Sequence, residues 1–129
     1  MVDTPNLEIT EVATGQNQKE ATINNAINDL ENALTDTVDI DVSAGDVTVT
    51  DDQGHDNIVL DVINATAATR IITVPQFKRL FVVHSDSGNT QSITVRRGTT
   101  DITGLTSGQT RIFYTDGSAN GLIAVTAAA

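Results

Sequence analysis

VDIDVSAGDVTVT, Val38–Thr50, is the stretch on which the reading of the fold turns. Val38, Ile40 and Val42 alternate with Asp39 and Asp41, and Val47 and Val49 alternate with Thr48 and Thr50. Alternation with period two belongs to strands that set one face on a core and the other in water. Ser43-Ala44-Gly45, between the two runs, reads as a turn. Strand signatures recur downstream in NIVLDVIN (Asn57–Asn64), RIITV (Arg70–Val74), LFVVH (Leu80–His84) and SITVRR (Ser92–Arg97). DITGL (Asp101–Leu105), TRIFYT (Thr110–Thr115) and LIAVT (Leu122–Thr126) complete the series, with Pro75, Ser85–Asn89 and Asp116-Gly117 as punctuation. LFVVH is apolar at nearly every position and predicts a central strand. About eight or nine short strands, spaced about 8–12 residues apart, predict a mainly β fold, a small antiparallel β-sandwich or jelly-roll-like domain.

Upstream the period changes. Ile23, Ala26, Ile27, Leu30, Ala33 and Leu34 recur at helical spacing and predict an amphipathic helix from Lys19 to Leu34. Asn24, Asn25, Asn28, Glu31 and Asn32 form its polar face. A helix this short does not persist in water without packing. Its apolar stripe must therefore meet its own β domain or the same helix of another chain. The Ile23-Ile27-Leu30-Leu34 seam has the look of a short bundle edge. Residues 1–18 are an arm, broken at Asp3-Thr4-Pro5-Asn6, with Leu7, Ile9 and Val12 as scattered apolar anchors. The chain thus divides into an N-terminal docking arm and helix, 1–36, and a β domain, 37–129.

Composition narrows the function. The chain has 129 residues, room for one modest core, and no Cys, so neither a disulfide nor a thiolate metal site is available. MVDTPNLEIT lacks the basic and apolar regions of a signal peptide, so no leader is expected. No apolar run approaches the roughly 20 residues that span a bilayer, so no membrane partner is expected. A net charge of −10, with adjacent basic residues only at Lys78-Arg79 and Arg96-Arg97, argues against nucleic acid. Aromatic residues make up only 3 %, thin for a sugar- or base-stacking platform.

Chemistry-bearing motifs are scarce. DDQGHDN (Asp51–Asn57) reads as an acidic hairpin loop in which Asp51, Asp52 and Asp56 offer the hard oxygens that Ca²⁺ takes, though not at EF-hand spacing. His55 and His84 have no paired-ligand spacing for zinc; His84 reads as a core-edge histidine with a satisfied hydrogen bond. There is no G-x-S-x-G, no base set beside a nucleophile and no phosphate-cradling glycine loop. The expectation is a protein without catalytic residues or cofactor.

NLEITEVATGQNQKEATINNAINDLENAL (Asn6–Leu34) resembles the N-terminal segment of bacteriophage and prophage fibre and spike proteins, in its Gly15-Gln16, Lys19-Glu20, Asn24-Asn25, Ala26 and Leu30 positions. It departs at Asn24-Asn25, where Asn-Glu is usual, and at Glu31, where Asp is usual. Val74–Gly117 is similar to a β module of phage fibres, with Pro75 and Lys78 before a central strand and Asp116-Gly117 after an aromatic one. The resemblance implies a virion structural protein of a phage, or of a phage-like particle such as a gene transfer agent. Its role would be the base or adaptor of a head spike or tail fibre, made in the host cytoplasm and carried on the particle surface. It implies a homo-oligomer, trimer or pentamer, docked on other virion structural proteins at a capsid vertex or fibre. Leu7, Ile9, Ile23, Ile27, Leu30 and Leu34 are then the expected docking and oligomer residues. The alternatives are a module that binds a host surface glycan, calcium-assisted through Asp51, Asp52 and Asp56, and a capsid decoration protein. The small side chains of Ala127-Ala128-Ala129 would let a partner approach closely.

Overall fold

The two runs of Val38–Thr50 form strands in different sheets. In the computed structural model, which describes residues 3–125, they are β1 (Thr37–Asp41) and β2 (Val47–Thr48). Before them comes helix α1 (Lys19–Thr35), one residue longer than its periodicity predicts. After them come α2 (Asp51–Asp56), β3 (Val59–Ile63), β4 (Arg70–Thr73), β5 (Lys78–Ser85) and β6 (Ile93–Arg97). Then follow β7 (Thr100–Leu105), β8 (Thr110–Asp116) and β9 (Leu122–Ala124). Thr126 and the terminal alanines lie outside the described residues.

One sheet has the order β1-β3-β5-β8-β9 and the other β2-β4-β6-β7. The fold is mainly β, as expected, but the antiparallel arrangement needs correction. β1, β3 and β5 are mutually parallel neighbours, and so are β2, β4 and β6. Successive strands from β1 to β6 therefore alternate between the sheets, and the chain winds as a flattened coil. Each turn is about two dozen residues, since Thr37 faces Val59 and Val59 faces Val82. Antiparallel pairing enters only at the end, where β7 joins β6, β8 joins β5 and β9 joins β8.

The turn after β1 explains why no hairpin forms. The Asp41 carboxylate accepts the Ser43 N–H at 2.9 Å and closes a local turn. The Asp46 carboxylate then accepts the Ile71 N–H at 3.0 Å, tying the start of β2 to β4. An alternating strand carries the same pattern whether its partner runs parallel or antiparallel, so periodicity does not separate the two.

The core lies between the sheets. Ile40, Leu60, Val62, Phe81 and Phe113 from the larger sheet share one apolar cluster with Ile72, Ile93, Val95 and Leu105 from the smaller. Phe81 stacks on Phe113 with ring centroids 5.6 Å apart. β5 is the central strand of its sheet, as its apolar run predicts.

Two polar side chains brace this coil. Asn89 is buried; its amide donates to the Val62 carbonyl at 2.8 Å and to Ser85 Oγ at 2.9 Å, and its oxygen accepts the Ala65 N–H at 2.9 Å. It thereby ties the corner after β3 to the corner after β5. Arg79, 8 % exposed, points inward from β5. Its guanidinium donates to the carbonyls of Gly54 (3.0 Å) and His55 (2.8 Å) in α2 and of Ala33 (2.5 Å) in α1. Burial holds its pKa below the usual arginine value, with the Asp56 charge opposing. Gly54 has no room for a side chain, because a Cβ there would meet Phe77 at 2.8 Å and Pro75 at 2.9 Å.

Asn89→Ala removes the corner brace and strands a buried amide and a buried carbonyl. The expected loss is about 2–3 kcal/mol, read as a lower urea midpoint with unchanged slope.

Candidate functional site

Local hydrogen bonds shape the arm. Thr4 N–H donates to the Ile9 carbonyl at 2.8 Å, its hydroxyl accepts the Ile9 N–H at 3.0 Å, and Asp3 bridges Thr10. This folds Thr4–Ile9 into a loop that lies back along α1. Glu8 Oε2 comes within 3.3 Å of His55 Nδ1, an ion-pair distance off the line of a hydrogen bond, so the buried ring nitrogen gains no bonded partner from it. The arm joins the helix through Gly15 and Gln18, both at positive φ (73° and 57°). The Gln16 side chain bonds the Thr22 hydroxyl across that junction.

α1 turns its small side chains inward and its large ones outward. Ala33 is buried and Thr22 and Ala26 are half-buried, whereas Ile23, Ile27, Leu30 and Leu34 are 48 %, 58 %, 45 % and 57 % exposed. Leu30 and Leu34 meet the β domain along a cleft that they share with Ile58 and Leu80. The core closes without these four side chains. Leaving four such residues about half exposed forgoes on the order of 4 kcal/mol of burial.

The structure brings the six expected docking residues onto one surface. Leu7, Ile9, Leu30 and Leu34 line a cleft of about 610 Å³ with Ile58, Lys78 and Leu80. Ile9, Ile23, Ile27 and Leu30 line an adjoining groove of about 370 Å³ with Val12 and Ala26. What sequence reasoning missed is the sheet that continues this surface. Leu80, Tyr114 and Ile123 stand in register across β5, β8 and β9. Beside them run Val59, Val82 and Ile112, with the Val125 N–H donating to the Ile112 carbonyl at 2.8 Å. Strand alternation places both rows on the outer face, opposite Phe81 and Phe113. Among the described residues the exposed large hydrophobics are Val12, Ile23, Ile27, Leu30, Leu34, Leu80, Ile123 and Val125. Every one of them lies on this arm, helix and sheet surface. The available signal was parity: LFVV and LIAV are apolar on both faces of their strands, and the core needs only one.

Polar rows bound the patch. Lys78 faces Asp116 on one side, and Asp39, Asp61, His84 and Thr110 stand in register on the other. His84 lies in this outer row, half-buried, with Nδ1 2.8 Å from the Thr110 hydroxyl. Burial holds the Asp61 carboxyl above the usual range; His84 opposes this, while Asp86 and Asp39 add to it. Asp61 Oδ1 is buried without a hydrogen-bond partner.

Asp51, Asp52 and Asp56 are not in a hairpin loop. They lie in α2, where Thr50 and Gln53 form a reciprocal capping box at 3.0 and 3.1 Å. Asp51 and Asp52 sit in the first turn, where the helix dipole favours negative charge. The Asp56 carboxyl is raised by burial first, then by Asp52 and Asp29. Among the described residues no three Asp, Glu, His or Cys side chains converge to hold a metal ion. Nor is any described helix long and apolar enough to cross a membrane.

Two measurements check this geometry. Arg79→Met strands three buried carbonyls, and the expected loss is about 2–4 kcal/mol, with amide exchange accelerated through Lys19–Thr35 before the strands of the core. Asp61→Asn acts through pH. The raised native pKa means that the ionised carboxylate costs stability at neutral pH, and that this cost disappears as pH falls through the native value. The variant should melt higher than the parent at pH 7, with the gap closing as the carboxylate protonates.

Comparison of the chain with family models, with curated proteins and with solved structures finds no match.

Proposed function

We propose that the chain is a non-enzymatic structural subunit that self-associates through its N-terminal helix, as the base or adaptor of a head spike or tail fibre on a phage-like particle. The observation that carries self-association is the outward seam of α1, with Ile23, Ile27, Leu30 and Leu34 all 45 % exposed or more beside a core that is complete without them. A soluble chain that holds such a seam on a tethered helix is arranged for assembly. The resemblance of Asn6–Leu34 to fibre and spike N-terminal segments supports the particle setting, with the arm as its docking element. The acidic surface, at net −10, disfavours indiscriminate association and leaves the apolar face as the cohesive one.

Ile27→Asp with Leu30→Asp puts two carboxylates into the seam, where burial without partners costs several kcal/mol. Light scattering should show the wild type as an oligomer and the variant as a monomer that keeps its β circular dichroism. A wild type that is monomeric at tens of micromolar would sink self-association. For the particle setting, quantitative mass spectrometry of purified phage-like particles from a producing strain should find the chain at a fixed copy number. Its absence from them would reject that role.

A further inference from the structure

Of the two histidines, His84 stands in the outer row of the larger sheet and His55 is buried in α2. The surroundings of the His55 ring leave one atom unanswered. Phe77 meets the ring edge-on, with centroids 5.7 Å apart, and Arg79 donates to the His55 carbonyl. Nδ1 is buried and has no hydrogen-bond partner. What stands against it is a carboxylate of the arm, Glu8 Oε2, at 3.3 Å. A neutral imidazole offers that oxygen at most one N–H dipole, and in its other tautomer a lone pair. An imidazolium offers it a positive charge.

The arm is held so that this contact decides its position. Its hydrogen bonds between Thr4 and Ile9 are internal, and they fix its shape rather than its place. Thr4, Pro5, Leu7 and Ile9 form one wall of the 610 Å³ cleft, with Leu30, Leu34, Ile58 and Leu80 across it. The arm thus spans open space where a packed seam would otherwise hold it. Glu8 and Gln18 take positive φ, 55° and 57°, which a residue with a Cβ adopts at an energetic cost. We propose that Glu8 and His55 form a pH-operated latch: His55 in its protonated form draws the arm onto α2, and loss of that proton frees the arm to swing about Gly15–Gln18.

The charged groups around the ring are Glu8 from the arm, Asp52 and Asp56 from α2 itself, Asp29 from α1 and Arg79 from β5. The carboxylates favour the imidazolium and the guanidinium opposes it. All but Glu8 stay in place whether the arm is closed or open, so Glu8 is the group that couples the proton to the arm. The latch holds in weak acid, where an imidazole carries a proton and a carboxylate is ionised. It weakens as pH rises through the imidazole range, and again in strong acid as Glu8 takes up a proton. Because the arm is one wall of the cleft, the latch sets how far Leu30, Leu34, Ile58 and Leu80 lie open.

The chain has no native cysteine, so a nitroxide can be placed on Asn32→Cys, at an exposed position of α1. Its broadening of the amide resonances of residues 4–10 reads arm closure at each pH. From about pH 5.5 to about pH 7.5 the open fraction of the arm should rise about fivefold, the size of a partly exposed ion pair. Glu8→Gln, at a half-exposed position that leaves the core untouched, should hold the arm at the same, more open level at both pH values. His55→Gln should do likewise. A wild-type arm that ignores pH overturns the latch. So does a Glu8→Gln arm that still responds to pH, because the proton would then act through a different pair.

Discussion

A buried guanidinium holds the two parts of this chain together. Arg79 comes inward from the central strand of the larger sheet and satisfies carbonyls in both helices, with no carboxylate in hydrogen-bond contact. A lysine in its place would bring three donors on one flexible point, where the guanidinium fans fixed donors toward three separate carbonyls. Arg79 fixes the position of α1 on the β domain, and with it which side of the helix faces inward. The outward seam, the cleft beside Leu80 and the back-folded arm all depend on that placement.

The flattened coil gives the sheet its two-sided character. β5 receives β3 along Val82–Ser85 on one side and β8 along Lys78–His84 on the other, so it is central. Its outer face carries Leu80 and Val82 where a half-solvated strand would carry polar residues. At the opposite end of the sheet, the edge strand β1 carries exposed Asp39 and Asp41. Charges on an edge discourage strand-to-strand addition. The β1 edge thus resists strand addition, while the face of the sheet keeps an apolar surface.

Strand and helix positions were largely legible in the sequence, because periods of two and 3.6 are local properties. Strand pairing was not. Val38–Val42 and Asp46–Thr50 looked like consecutive members of an antiparallel sheet, and nothing in their alternation records that each finds its partner a coil turn later. The acidic Asp51–Asn57 stretch was misread for a related reason. The acidic run was read as a loop, whereas Thr50 and Gln53 cap it as a helix. Gly54 serves instead to let α2 approach Phe77 and Pro75. On the apolar surface, the helix seam was visible at helical spacing, whereas the sheet half became visible only once registers placed Leu80, Tyr114 and Ile123 in one row.

The winding of the coil has a consequence for the order of folding. β8 and β9 pair across a short turn, whereas each parallel pairing of the larger sheet closes a loop of more than twenty residues. Non-local pairings of this kind form slowly. The parallel coil, rather than the C-terminal strands, therefore sets the pace at which the sheet is completed.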